Sequence, residues 1–85
     1  MEDALFAGER LDEKEIVGKT FRHCTFANIS FKEAELRRVT FVNCAFVRCY
    51  FRGASLEASR FSASHFIDCD LTKVRVEGCD FRYYN

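Results

Sequence analysis

Proline and tryptophan are absent from this sequence, and glycine occurs only four times. No Gly- or Pro-rich linker and no low-complexity tract divides the chain, so its 85 residues read as one small domain. That size is close to where a single conventional core becomes marginal. Charge of either sign is not in excess: 13 basic and 13 acidic residues cancel. Bulk charge therefore proposes neither nucleic acid nor a membrane surface as a partner. No apolar run reaches membrane-spanning length, and the opening "MEDALFAGERLDEKE" is charged throughout, unlike a secretory signal. The five cysteines are an odd number, and without an export signal they favour reduced thiols in the cytoplasm over a disulfide framework.

Phenylalanine, by contrast, is abundant and ordered. All ten, from Phe6 to Phe81, fall in one phase of a five-residue count. Leu11, Ile16, Leu36, Leu56, Leu71 and Val76 share that phase, which is apolar without exception from Leu11 to Phe81. Two places before each of these centres, from Cys24 to Cys79, stands a small or β-branched residue, and all five cysteines are among them. The other three phases carry nearly all the charge. A period of five matches neither a helix nor an extended strand. It matches a short straight segment, with one large and one small residue inward, ended by a corner.

Four such segments close a square, and centres twenty apart agree with that. Phe21, Phe41, Phe61 and Phe81 form one column, and Phe26, Phe46 and Phe66 a second. Ile16, Leu36, Leu56 and Val76 form a third, and Phe31, Phe51 and Leu71 the last. Residues stacked on successive coils would lie about 4.8 Å apart, the spacing of neighbouring strands. The second inward position stays small because four large side chains already fill each layer.

The units "CTFAN", "AELRR", "CAFVR", "ASLEA", "CDLTK" and "CDFRY" resemble the pentapeptide-repeat family, over residues 14 to 83. The resemblance implies an all-β fold, a right-handed quadrilateral parallel β-helix of about three and a half coils. Lys14 and Lys19 stand at early small positions, so the first coil is expected to be frayed or capped. Residues 1–13 keep the apolar phase without the small residues and are expected to form an irregular N-terminal cap, with the β-helix proper spanning 14–85. At the other end, Tyr84 is too bulky for a small position. Either the solenoid stops there or the chain belongs to a longer protein.

Candidate chemistry is sparse. The cysteines occupy the crowded small position, where a thiol acts as a compact apolar filler rather than a convergent metal ligand. His23 adjoins Cys24, but neighbours facing opposite ways cannot act as base and nucleophile. Phosphate loops, calcium loops and zinc-protease motifs are missing. The chain is expected to be non-catalytic, with no cofactor and no metal, and function is expected on the outer walls.

Three surfaces stand out. Ala27, Val47 and Ile67 fall in one outward column, with Ala45 beside them, as an apolar ladder suited to protein contact. Lys32, Arg52 and Lys73 make a basic stripe with Tyr50 nearby, although three aligned cations give only weak, salt-sensitive affinity for nucleic acid. At the C-terminal end Phe81, Tyr83 and Tyr84 leave an open edge suited to a head-on homodimer. The leading expectation is a protein-interaction module. The family resemblance implies an alternative, because its quinolone-resistance members mimic DNA and bind DNA gyrase, and "ALFAGERLDEKEIVGKTF" is loosely similar to how such proteins begin. Zero net charge and the lack of an unbroken acidic column depart from that pattern.

Overall fold

The computed structural model describes residues 1–81, and no helix occurs among them. The chain runs through eleven three-residue strands. One wall is made by β1 (Leu5–Ala7), β4 (Thr25–Ala27), β7 (Ala45–Val47) and β10 (His65–Ile67). A second is made by β2 (Glu15–Val17), β5 (Glu35–Arg37), β8 (Ser55–Glu57) and β11 (Arg75–Glu77), and a third by β3 (Thr20–Arg22), β6 (Thr40–Val42) and β9 (Arg60–Ser62). Each strand has the apolar centre in its middle and an outward residue on either side, as alternation along a strand requires.

All strand pairings are parallel and join residues one coil apart. Phe6 pairs with Phe26, Phe26 with Phe46 and Phe46 with Phe66. Leu36 pairs with Leu56, and Phe41 with Phe61. This is the four-sided β-helix expected from the repeat.

Its core is the stack of centres. Phe31, Phe41, Phe46, Phe51 and Phe61 are fully buried. Along the axis the rings lie face to face: Phe26–Phe46 at 4.9 Å, Phe46–Phe66 at 4.8 Å and Phe31–Phe51 at 4.7 Å between centroids. Across corners they meet edge-on, as Phe41 and Phe46 do at 5.0 Å and 75°. Both arrangements suit the ring quadrupole, so a square of phenylalanines packs well in both directions.

The small position has a second requirement that size alone does not express. Cys49 Sγ donates to the carbonyl of Phe26 at 3.2 Å, Cys69 Sγ to Phe46 at 3.2 Å, and Cys79 Sγ to Leu56 at 3.3 Å. Ser64 Oγ makes the equivalent bond to Phe41 at 3.4 Å. A thiol or hydroxyl here therefore fills space and also offers a donor to the coil before it.

Corners recur every fifth residue and have left-handed backbone. All four glycines are corner residues, with φ from 62° to 72°, and Asn28 and Asn43 are corners as well. Charged residues such as Glu33, Arg38, Arg48 and Lys73 take the same conformation, with φ between 51° and 58°. That region is uncommon for side chains with a Cβ. Bonds to the next coil hold it in place, as when Arg48 N–H donates to Ile67 C=O at 2.8 Å.

Two features differ from expectation. The fourth wall is a stack of turns, not of strands. Ala34 N–H donates to Phe31 C=O at 3.0 Å and Ala54 N–H to Phe51 C=O at 2.9 Å, so the chain folds back within one unit. Isolated bridges through Arg10, Ser30, Tyr50 and Asp70 tie this wall together, with bonds between coils such as Phe31 N–H to Tyr50 C=O at 2.6 Å and Phe51 N–H to Asp70 C=O at 2.7 Å. The other difference lies at residues 1–13, where the coil geometry reaches back to Glu2 instead of giving way to an irregular cap. β1 pairs in register with β4, and Glu2 bridges Arg22. Each strand stack on the first two walls is four deep, so there are about four coils rather than three and a half. Nor is the first coil frayed at Lys14 and Lys19, whose carbonyls accept from Glu35 and Thr40 N–H at 2.8 Å. Their side chains, with that of Glu9, are exposed, which leaves an apolar well of about 120 Å³ among Phe6, Leu11, Ile16 and Phe21.

Candidate functional site

The first wall carries the apolar ladder. Ala27 is registered on Val47, and Val47 on Ile67. Because β1 joins this wall, Ala7 extends the column by one coil and Leu5 begins the parallel column of Thr25, Ala45 and His65. None of these eight outward residues is an Asp, Glu, Lys or Arg. Leu5 and Ile67, at opposite ends of the wall, are 70% and 48% exposed, while Ala27 and Val47 are half-buried by their neighbours. Three inter-strand steps make the wall about 14 Å tall. Its borders are polar: Arg48 Nε donates to Asn28 Oδ1 at 3.2 Å along one corner, and His23 and Asn43 occupy the other. An apolar strip with a polar rim is the layout of a small protein-contact surface. Sequence reasoning missed Leu5 and Ala7 because it treated residues 1–13 as a cap, although Phe6 already kept the phase.

The second wall is charged and partly compensated. Arg37 lies 2.9 Å from Glu35, 3.4 Å from Glu15 and 3.7 Å from Glu57, so three glutamates on three coils share one guanidinium. These side chains are about half exposed, and such pairs contribute little to stability individually. Their effect is on the surface field, which Arg37 prevents from becoming a continuous acidic stripe.

The basic stripe meets in one place. Lys32, Arg52 and Lys73 surround a groove of about 490 Å³ beside the turn wall, together with Glu33, Gly53 and Arg75. Arg75 was not part of the sequence pattern because it belongs to the next wall, as the first residue of β11. Tyr50 is exposed on the turn wall between Ser30 and Asp70.

At the C-terminal end Phe81 stacks on Phe61 at 5.0 Å and remains 37% exposed. With Leu56, Phe66, Leu71, Val74 and Val76 it lines an apolar hollow of about 340 Å³. Tyr83 and Tyr84, the other expected members of this edge, lie outside the described residues.

The cysteines are free thiols. Burial raises the Cys44 thiol above its ordinary value and pushes that of Cys49 up to about 11, so neither is a ready nucleophile at neutral pH. Among the described residues no group of three or more His, Cys, Asp or Glu side chains is arranged to hold a metal. Nor is any helix among them long and apolar enough to cross a membrane.

The sequence model for the pentapeptide repeat region matches residues 19–85. No match is found among curated protein sequences. Among solved structures, full-length QnrB1, a plasmid-mediated fluoroquinolone resistance protein, is similar with a TM-score of 0.58 at 22% identity, over 100% of this chain and 47% of that one. A trypsin-treated QnrB1 variant gives 0.52 at 23% identity, over 99% and 48%. A pentapeptide-repeat protein from the cyanobacterium Cyanothece 51142 gives 0.54 at 9% identity, over 99% and 82%. At such identities the likeness is one of fold. The chain spans about half the length of the QnrB1 chains it resembles.

Proposed function

The chain belongs to the pentapeptide-repeat family, and on that premise we propose that it is a non-catalytic protein-interaction module that presents a flat β-helix wall to a protein partner. The observation that carries this reading is the uncharged first wall, with Ala7, Ala27, Val47 and Ile67 in one unbroken column. A wall about 14 Å tall buries less than a standard interface of about 800 Å² per partner, so the contact is of the weak, transient class unless adjoining walls take part. Among the described residues the core is filled with side chains, which favours a role on the surface. The test is capture of partners from cell lysate by the wild type and by Val47→Glu. A specific partner retained by the wild type and by Arg10→Ala, but lost with Val47→Glu, supports the wall. Equal capture by all three overturns it.

A second reading, a DNA mimic directed at DNA gyrase, is favoured by the likeness in fold to a fluoroquinolone resistance protein. Against it stands Arg37, which sits among the glutamates and interrupts the row that phosphate mimicry would need. A supercoiling assay with purified gyrase decides: unchanged supercoiling and unchanged quinolone inhibition at saturating protein remove this reading. Self-association belongs to the same proposal. The apolar C-terminal end around Leu71, Val76 and Phe81 is suited to a second copy meeting it head-on, and the side wall at Ile67 is the competing surface.

A further inference from the structure

Four arginines elsewhere on this protein are placed against acids or amides: Arg37 among three glutamates, Arg10 by Asp12, Arg60 by Asp80, and Arg48 on Asn28. The groove beside the turn wall is different. Lys32, Arg52, Lys73 and Arg75 converge on it, and none of the four is in ion-pair contact among the described residues. Among the described residues, Glu33 is its only acidic lining residue. Asp70, within electrostatic reach of Arg52, is already engaged by the backbone N–H of Thr72 at 2.8 Å and by its hydroxyl. The corner between Glu33 and Lys73 is Gly53, where an added Cβ would come within 3.2 Å of Glu33 Cγ.

We infer that this groove is a docking site for an acidic, extended peptide segment, with Arg52 and Arg75 each gripping a carboxylate. Lys32, Arg52 and Lys73 belong to successive coils, so their charges spread over about 10 Å along the axis. That span matches two or three carboxylates on alternate residues of an extended chain, about 6.6 Å apart. The guanidinium fork suits a carboxylate bidentately. Duplex DNA fits less well. A rod wide enough to cover the groove would also face Glu35 and Glu57 on the second wall and Asp70 on the turn wall, all like in charge to its phosphates. The inference deepens the interaction-module reading and names the chemistry of one partner segment, on a surface separate from the uncharged wall.

The experiment is fluorescence anisotropy with a labelled peptide alternating Asp and Ser, measured on the intact protein at low salt. Saturable binding is expected, weakened about fivefold by Arg52→Gln, at the upper end of what an exposed ion pair contributes. It should also weaken as ionic strength rises. Glu33→Gln should strengthen it by about twofold, since a like charge leaves the groove. Arg22→Ala, on the third wall across the solenoid from the turn wall, should leave it unchanged. Circular dichroism of each variant confirms that the coil is intact. Absence of binding, equal weakening by Arg22→Ala, or tighter binding of a duplex oligonucleotide at matched concentration each overturns the inference. None of these outcomes bears on the uncharged wall, which the Val47→Glu capture reads independently.

Discussion

The two ends of the solenoid follow the five-residue rule to different degrees. In the first coil the inward small positions include Glu9, Lys14 and Lys19, all of which turn their side chains to solvent. In the last coil they are Cys69, Val74 and Cys79, all half-buried and all compatible with another layer above them. A further coil laid on the N-terminal face would have to bury these three long charged side chains. Charged side chains at such an edge are a known way to keep it from pairing. The C-terminal end has no such device among the described residues, and Leu71, Val76 and Phe81 form an apolar layer there. Between the ends, the middle coils bury every centre from Phe26 to Phe61. The backbone path is thus common to all coils, while side-chain burial separates a closed middle from two unlike ends.

The sharpest way to break this comparison is to remove equivalent rings from different coils. Phe46 is stacked between Phe26 and Phe66 and is fully buried, so Phe46→Ala should cost about 3–5 kcal/mol. In a domain of this size that approaches the whole stability. Phe6 has one stacked neighbour, Phe26 at 5.1 Å, and is only half-buried, so Phe6→Ala should cost about 1–2 kcal/mol. Urea denaturation of both variants measures the difference, and equal losses would show that burial is not graded along the axis.

Unlike ends also predict unlike association. Light scattering should give twice the monomer mass for the wild type, the monomer mass for Phe81→Glu, and an unchanged dimer for Ile67→Glu. A dimer lost only with Ile67→Glu would move the contact to the side wall, and a monomer throughout would remove it.

Thiol chemistry sharpens the contrast between middle and end. Cys44 and Cys49 should react with a thiol reagent only on unfolding, whereas half-buried Cys69 and Cys79 should react sooner. Burial favours the neutral thiol of Cys49 in the folded state, from 9.0 up to about 11. Its contribution is therefore fully present below about pH 9 and is lost as pH rises toward 11. Cys49→Ala should flatten that alkaline decline in a denaturation series run across the window.

The smallest effects concern corners. Gly53→Ala places a Cβ at φ 72° and against Glu33, and should cost about 1–2 kcal/mol. Arg48 already occupies a left-handed corner, so Arg48→Ala should stay within about half a kcal/mol. Thermal melts of the pair test whether corners are held by the residue or by the ladder around it.

Much of this architecture was legible because large and small residues alternate in fixed phase. The columns of Phe26, Phe46 and Phe66, and the ladder of Ala27, Val47 and Ile67, appear where that phase puts them. The first coil was not legible, since Glu9, Lys14 and Lys19 break the small-residue rule and sequence alone does not show that such side chains can swing outward while the backbone keeps its path. The corners left a signal that went unused: every glycine, with Asn28 and Asn43, shares one phase, and these are the residues that tolerate positive φ most readily. The turn wall and the groove were beyond reach, because Arg75 approaches Arg52 only through the fold-back at residues 71–74.

The corner spacing also sets a kind of reading frame for this chain. Gain or loss of a single residue in any coil would throw each later centre out of the core. A gain of twenty would add one layer and leave all four walls aligned. An insertion of five is the instructive case. The core would accept it, since every centre is apolar, but everything beyond would rotate by one side of the square. Placed between Val47 and Ile67, it would swing Ile67 onto a neighbouring wall while leaving the fold intact. Surfaces on such a scaffold can therefore be reshuffled in quarter turns by events that never touch a surface residue.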